Sequence, residues 1–178
     1  MTPGDLYRTC RVSAYRLETR QHYMVPDDAA RQRAFHPGAP LPPPRQSKLD
    51  DLRLISELRA AGRLVGRVHI IDRPLSDYVR YELAAYAENV DAGEDVRLAD
   101  RSSHPELAGL MTDFAIFDPA TDSANLILFD YDAEGRLLGY EHTQDPDQIR
   151  RYWQQYQLAL DYSVPLSMFA AGQSQTGS

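Results

Sequence analysis

The stretch Leu64-Val65-Gly66-Arg67-Val68-His69-Ile70-Ile71 decides the fold. Its aliphatic, β-branched run is of strand length and is bounded on both sides by residues that stop or start helices, so it reads as a buried strand. Upstream, Leu54, Ile55, Leu58 and Ala61 share one face of a helix that Ser47 can cap and Gly62 can stop. Downstream, Pro74 and Ser76 introduce a second helix, on which Val79, Leu83, Tyr86 and Val90 recur at helical spacing before Gly93 closes it. Residues 95–99 supply a following strand. The segment 64–99 therefore predicts a βαβ crossover, with parallel strands joined by a right-handed connection.

Outward from this unit, residues 6–18 read as a short helix followed by a strand on which Arg16 and Glu18 share a face. Pro26, Asp27 and Asp28 start a helix running to about Phe35. Residues 36–46 form a proline-rich surface loop, because each proline fixes its own φ and lacks the N–H that a helix or central strand needs. Beyond the crossover, residues 112–117, 124–131 and 136–142 are short aliphatic and aromatic segments separated by turn-forming clusters, and they predict an antiparallel meander. Asp145, Pro146 and Asp147 then start an amphipathic helix whose stripe of Ile149, Tyr152, Trp153, Tyr156 and Leu160 packs on the sheet. The expected class is α/β (α+β): a mixed sheet with a helix-strand-helix-strand unit, a C-terminal three-stranded meander and packed helices, the last of them amphipathic. One domain is expected over residues 1–171, with 172–178 as a flexible tail.

Composition narrows the chemistry. The chain has 178 residues, 43% of them hydrophobic, which suits one domain with a sizeable core. Its formal charge is −7, the opposite of the footprint that phosphate backbones require, so direct nucleic-acid binding is not expected. No stretch is long and apolar enough to span a bilayer, no signal-peptide pattern opens the chain, and Cys10 is the single cysteine. These features predict a cytoplasmic protein without membrane association. Lys48 is the only lysine, which argues against Schiff-base and Walker-type mechanisms.

Recognisable catalytic motifs are missing. There is no Gly-x-Ser-x-Gly, and Gly62 and Gly66 match neither the dinucleotide nor the phosphate-loop fingerprint. His22, His36, His69, His104 and His142 are dispersed, with no metal-site spacing. No catalytic residue, cofactor or metal is assigned on these grounds.

Three constellations stand out as candidate ligand-binding residues. Arg67 and His69 point to one face of the central strand, whose carboxyl end is the turn beginning at Asp72, and ligands of open α/β sheets bind outside such ends. The competing reading makes Arg67 and His69 half-buried and satisfied by carboxylates. Tyr78, Glu82 and Tyr86 are neighbours at i, i+4 spacing on the following helix, either lining a polar-aromatic cleft or forming an ordinary helix edge. Arg16 and Glu18, on one face of the first strand, are more often a structural ion pair than an acid/base couple.

The phrases Ser13-Ala14-Tyr15-Arg16-Leu17-Glu18-Thr19, Gly66-Arg67-Val68-His69-Ile70-Ile71-Asp72-Arg73-Pro74-Leu75-Ser76-Asp77-Tyr78, Glu88-Asn89 with Gly93-Glu94-Asp95, and Tyr131-Asp132-Ala133-Glu134-Gly135-Arg136 resemble those of an actinobacterial family catalogued as domain of unknown function 6879. The resemblance spans nearly the whole chain. It implies a small cytoplasmic protein associated with helix-turn-helix regulators, and it brings no catalytic residues. The element order is also similar, more weakly, to half of a phospholipase D-like fold, as in sensor domains that bind ligands without cleaving them. Catalytic members carry His-x-Lys, whereas here Ile71 stands two positions after His69.

Two functions follow as expectations. The first is a non-enzymatic regulatory or interaction module that binds a protein partner, such as a helix-turn-helix regulator, or a small ligand. The second is an enzyme with an unfamiliar site, in which His69 is the general base, oriented by Glu82 or Asp72, and Arg67 grips an anionic substrate.

Overall fold

Strand β2 (Leu64–Ile71) runs parallel to β1 (Ser13–Glu18) on one side and to β3 (Asp95–Asp100) on the other, which makes it a central strand, as its aliphatic run predicts. The computed structural model of the chain describes residues 1–175, with side chains described through residue 170. Helix α1 (Pro3–Thr9) precedes β1, and helices α2 (Ala29–Ala34) and α3 (Gln46–Ala60) lie between β1 and β2. Helix α4 (Asp77–Asp91) connects β2 to β3. A single 3-10 turn (Pro105–Leu107) leads to β4 (Phe114–Phe117), β5 (Asn125–Tyr131) and β6 (Leu137–Thr143), and α5 (Pro146–Asp161), β7 (Ser163–Pro165) and α6 (Leu166–Gln175) follow.

The result is an α/β fold on one mixed seven-stranded sheet, in the order β6-β5-β4-β1-β2-β3-β7. Strands β4, β5 and β6 form the predicted antiparallel meander, and β4 joins it to β1. Two successive parallel crossovers in the same direction along a sheet place their helices on one face when they share handedness. Accordingly α3 packs over Ala14, Val65 and Ala115, while α4 and α6 pack over Ile71, Val96 and Leu98 on that same face. Helix α5 covers the opposite face, setting Ile149, Tyr156 and Ala159 on Leu17, Val68, Ile70 and Leu126.

Local chemistry explains the boundaries. Ser76 caps α4 by accepting from the Val79 amide at 3.1 Å, and Asp145 caps α5 by accepting from Asp147 and Gln148 at 2.8 and 3.2 Å. The stops after α3 and α4 are Gly62 (φ +78°) and Gly93 (φ +101°), in the left-handed region that a side chain disfavours.

Some expectations need correction. The residue before α3 is Arg45, which makes no side-chain capping bond, so Ser47 lies inside the first turn and is not the cap. Helix α2 begins at Ala29, later than Pro26, and the proline-rich loop expected at 36–46 ends one residue earlier because Gln46 opens α3. Val90 is exposed, off the buried stripe of α4. The amphipathic helix α5 is followed by β7 and α6, which the sequence reading did not foresee; β7 pairs antiparallel with β3 through Leu98 and Val164. Of the tail expected at 172–178, residues up to Gln175 belong to α6 and the last three lie outside the described residues.

Candidate functional site

Alternation along β1 and β2 turns Arg16, Glu18, Arg67 and His69 toward the face covered by α3 and α4. Parallel register pairs Arg16 with Arg67 and Glu18 with His69. Two arginines side by side on a sheet repel, and the structure answers with carboxylates. Glu18 Oε1 accepts from Arg16 Nε and from Arg67 Nη1, each at 2.9 Å, and Arg67 Nε donates to Glu94 at 3.0 Å. The second Glu18 oxygen accepts from the Tyr86 hydroxyl at 2.6 Å. The guanidinium of Arg16 also lies 4.3 Å from the centre of the Phe129 ring and donates to the Tyr131 hydroxyl at 3.1 Å. Burial would raise the Glu18 carboxyl, but Arg67 and Arg16 outweigh it and hold the group well below the usual carboxylate range.

This network floors a cavity of about 530 Å³. Its walls are Lys48, Asp51, Leu54 and Ile55 of α3 and Tyr78, Tyr81, Glu82, Ala85 and Asn89 of α4. The rest of the enclosure comes from Tyr7, Tyr131, Leu137 and the segment from Tyr23 to Arg31. That covering segment is fastened at several points. Arg31 donates to both oxygens of Glu88 (3.1 and 2.5 Å) and to the Pro42 carbonyl at 2.7 Å, Tyr81 donates to Asp28, and the Met24 amide donates to the Gly135 carbonyl at 2.9 Å. Tyr23 donates to Asp113, which also accepts from the Thr19 amide at 2.9 Å.

Inside this enclosure the titratable groups are displaced from their ordinary behaviour. Burial and the nearby charge of Glu18 raise the Glu82 carboxyl, which accepts from the Tyr78 hydroxyl at 2.8 Å. Burial and the charge of Arg67 lower the Lys48 ammonium. Its Nζ lies 2.6 Å from Asn89 Oδ1, and the Asn89 amide nitrogen donates to Glu94 Oε2 at 2.5 Å. Burial pushes the Tyr7 phenol up to about 12 and the Tyr78 phenol well above its ordinary value. The pattern is that of a partly dehydrated polar site whose floor is tied together by hydrogen bonds.

Of the seven residues expected from sequence, the structure brings five together on the cavity: Arg16, Glu18, Arg67, Tyr78 and Glu82. His69 lies next to them but is fully buried beneath the floor. Its Nδ1 lies 2.9 Å from the Tyr86 hydroxyl and its Nε2 donates to the Arg20 carbonyl at 2.7 Å, so the expectation that carboxylates satisfy it is corrected. Asp72 is elsewhere, at the carboxyl end of β2, accepting from Arg101 at 3.2 Å. The cavity lies over the middle of the strands and not beyond their ends.

Sequence reasoning missed Lys48, Asn89 and Glu94. Asn89 and Glu94 stand within the phrases that carry the family resemblance, and Lys48 carried a signal of its own as the only lysine. Among the described residues no group of three His, Cys, Asp or Glu side chains is placed to hold a metal ion, and no helix is long and apolar enough to cross a membrane.

The chain belongs to the family described as domain of unknown function (DUF6879), whose model matches residues 2–171. No curated protein matches it.

Proposed function

We propose that this member of the DUF6879 family is a non-enzymatic sensing module that takes a small polar molecule into the cavity between the sheet and helices α3 and α4. The single observation that carries the reading is the fixed charged floor beneath a cavity of about 530 Å³. That volume falls in the range of small-molecule sites, roughly 300–1,000 Å³, and groups already held in place cost little further entropy when a ligand arrives. The arginines of the floor are paired with carboxylates, which disfavours a polyanion and favours a ligand that meets both donors and acceptors.

The enzymatic alternative rests on His69 as general base, and the geometry gives it little support. A base must reach its substrate's proton, yet His69 is fully buried and both ring nitrogens are engaged. The weaker similarity to phospholipase D-like sensor domains, which bind without cleaving, favours the same reading. In this proposal the occupied state is read in the cytoplasm by a protein partner, the helix-turn-helix regulator implied by the family resemblance. An interface built on exposed tyrosines is not favoured, since of the eleven tyrosines only Tyr140 is exposed.

A thermal-shift screen of polar metabolites tests the proposal. Ser47 is an exposed residue on the cavity wall, so Ser47→Trp obstructs entry without disturbing the core. A compound that stabilises the natural protein and leaves Ser47→Trp unmoved supports the reading. Equal shifts in both proteins, or none across the screen, would contradict it.

A further inference from the structure

Lys48 is the one lysine of the chain, and the fold puts it on the wall of the cavity, half-buried, with its amine 2.6 Å from Asn89 Oδ1. Surface display is the ordinary fate of lysine, so this placement calls for an explanation. The amide that receives it is itself oriented: Asn89 Nδ2 donates to Glu94 Oε2, and Glu94 Oε1 accepts from Arg67 Nε. A continuous chain of hydrogen bonds therefore runs from the sheet floor to the lysine amine and fixes where that amine stands. Asn89 offers a neutral oxygen, and among the described residues Lys48 has no carboxylate in hydrogen-bond contact. Glu82, on the same cavity wall, supplies a carboxyl group that among the described residues accepts a hydrogen bond from Tyr78 alone.

Contrary to the expectation that a single lysine argues against Schiff-base chemistry, we infer that Lys48 is a nucleophilic amine that captures the carbonyl group of a small aldehyde or ketone as an imine. The inference rests on the reading of the cavity as a ligand site and names the chemical class of the ligand. In the neutral amine the nitrogen lone pair attacks the carbonyl carbon, the carbonyl π pair moves to oxygen, and that oxygen takes a proton while nitrogen loses one. The carbinolamine so formed expels its oxygen as water when it is protonated again, leaving the carbon–nitrogen double bond. No oxidant or reductant is consumed, and the step reverses when water returns.

Two features suit the site to this step. An amine is nucleophilic only when unprotonated, and desolvation beside another cation is a recurrent way of freeing a lysine; burial and Arg67 act so on Lys48. The dehydrating step needs an acid, and burial together with the Glu18 charge keeps Glu82 protonated to higher pH than an ordinary carboxylate. The charged groups facing Lys48 are Arg67 from β2, Glu82 and Glu88 from α4, Glu94 before β3 and Asp51 of α3; Arg67 disfavours the ammonium, and the carboxylates favour it without outweighing burial and Arg67.

The test is reductive trapping. The full-length protein at pH 7 is incubated with propanal or glyoxylate and sodium cyanoborohydride, and the adducts are located by peptide mass spectrometry. The only other amine is the N-terminus, which serves as an internal reference. Trapping at Lys48 is expected to be faster in the folded chain than in the same chain in guanidinium chloride, by on the order of a hundredfold. Lys48→Arg is expected to lose that adduct and keep the N-terminal one. Trapping at Lys48 no faster in the folded protein, or adducts at the N-terminus alone, overturns the inference. If such a result comes with a metabolite that stabilises the natural protein and not Ser47→Trp, the ligand site stands and only the imine chemistry fails. If no compound shifts either protein, the ligand reading fails as well.

Discussion

Arg16 and Arg67 face each other in register on neighbouring parallel strands, and both donate to the same oxygen of Glu18 at 2.9 Å. A single buried carboxylate thus holds two like charges together, with Glu94 completing the balance on the Arg67 side. Removing one member of such a network leaves the others buried without compensation, at a cost of about 3–5 kcal/mol. Glu18→Gln is expected to destabilise the protein by that order in urea titrations at neutral pH, and Arg67→Met similarly.

The same network sets a pH dependence. The folded-state Glu18 carboxyl titrates well below its ordinary value of 4.5, so the unfolded chain takes up the proton first on acidification. Its contribution is fully present above about pH 4.5 and is lost as the pH falls further toward the folded value. Titrating stability from pH 7 to pH 3 is expected to show a steeper loss below pH 4.5 in the natural protein than in Glu18→Gln.

Glu82 has the opposite sign. Burial and the Glu18 charge raise its carboxyl above 4.5 in the folded state, so its contribution to stability is fully present below about pH 4.5 and is lost as the pH rises through the folded value. Glu82→Gln keeps an acceptor for the Tyr78 hydroxyl and removes the charge. Its stability relative to the natural protein is expected to rise as the pH is raised above about 4.5, as read by melting temperature across the range.

His69 separates structure from ligand chemistry. It is fully buried with a partner on each ring nitrogen, so His69→Gln is expected to cost about 1–3 kcal/mol. Isothermal titration with a compound from the screen is expected to give unchanged affinity for the folded fraction. A large loss of affinity without loss of stability would restore His69 to the site.

One of the fastenings of the cavity's cover is Arg31, a 5% exposed arginine bonded to Glu88 and to the Pro42 carbonyl. Arg31→Ala is expected to speed amide exchange across residues 26–45 while leaving β2 protected, because it removes the bonds to Glu88 and to the Pro42 carbonyl and leaves Tyr81 to hold the cover through Asp28 and Phe35. Hydrogen-exchange mass spectrometry reads both segments at once.

What the sequence disclosed and what it withheld differ for physical reasons. The run 64–71 and the capped helix after it are local signals, and both took shape as read. The alternation of Arg16 with Glu18 and of Arg67 with His69 put each pair on one face of its strand, since a period of two requires it. Register was not legible, and register is what brings Arg16 beside Arg67 and makes Glu18 their common acceptor. His69 and Asp72 were grouped with the site because they sit near Arg67 along the strand. The fold instead buries His69 under α4 and carries Asp72 past the cavity to Arg101. Lys48 is 17 and 19 residues before Val65 and Arg67, the β2 residues that line the cavity, and the packing of α3 against α4 brings it to Asn89. Strand β7 is three residues long and exists because β3 offers it an edge, which no local pattern announces.

The central claim is that the cavity over Arg16, Glu18 and Arg67 holds a small molecule. Equilibrium dialysis of the full-length protein against a polar metabolite extract, with mass spectrometry of what it retains, addresses this most directly when Ser47→Trp is dialysed alongside. The account predicts at least one small molecule enriched by the natural protein and absent from the variant. Retention of the same compounds by both proteins, or of none by either, would contradict it.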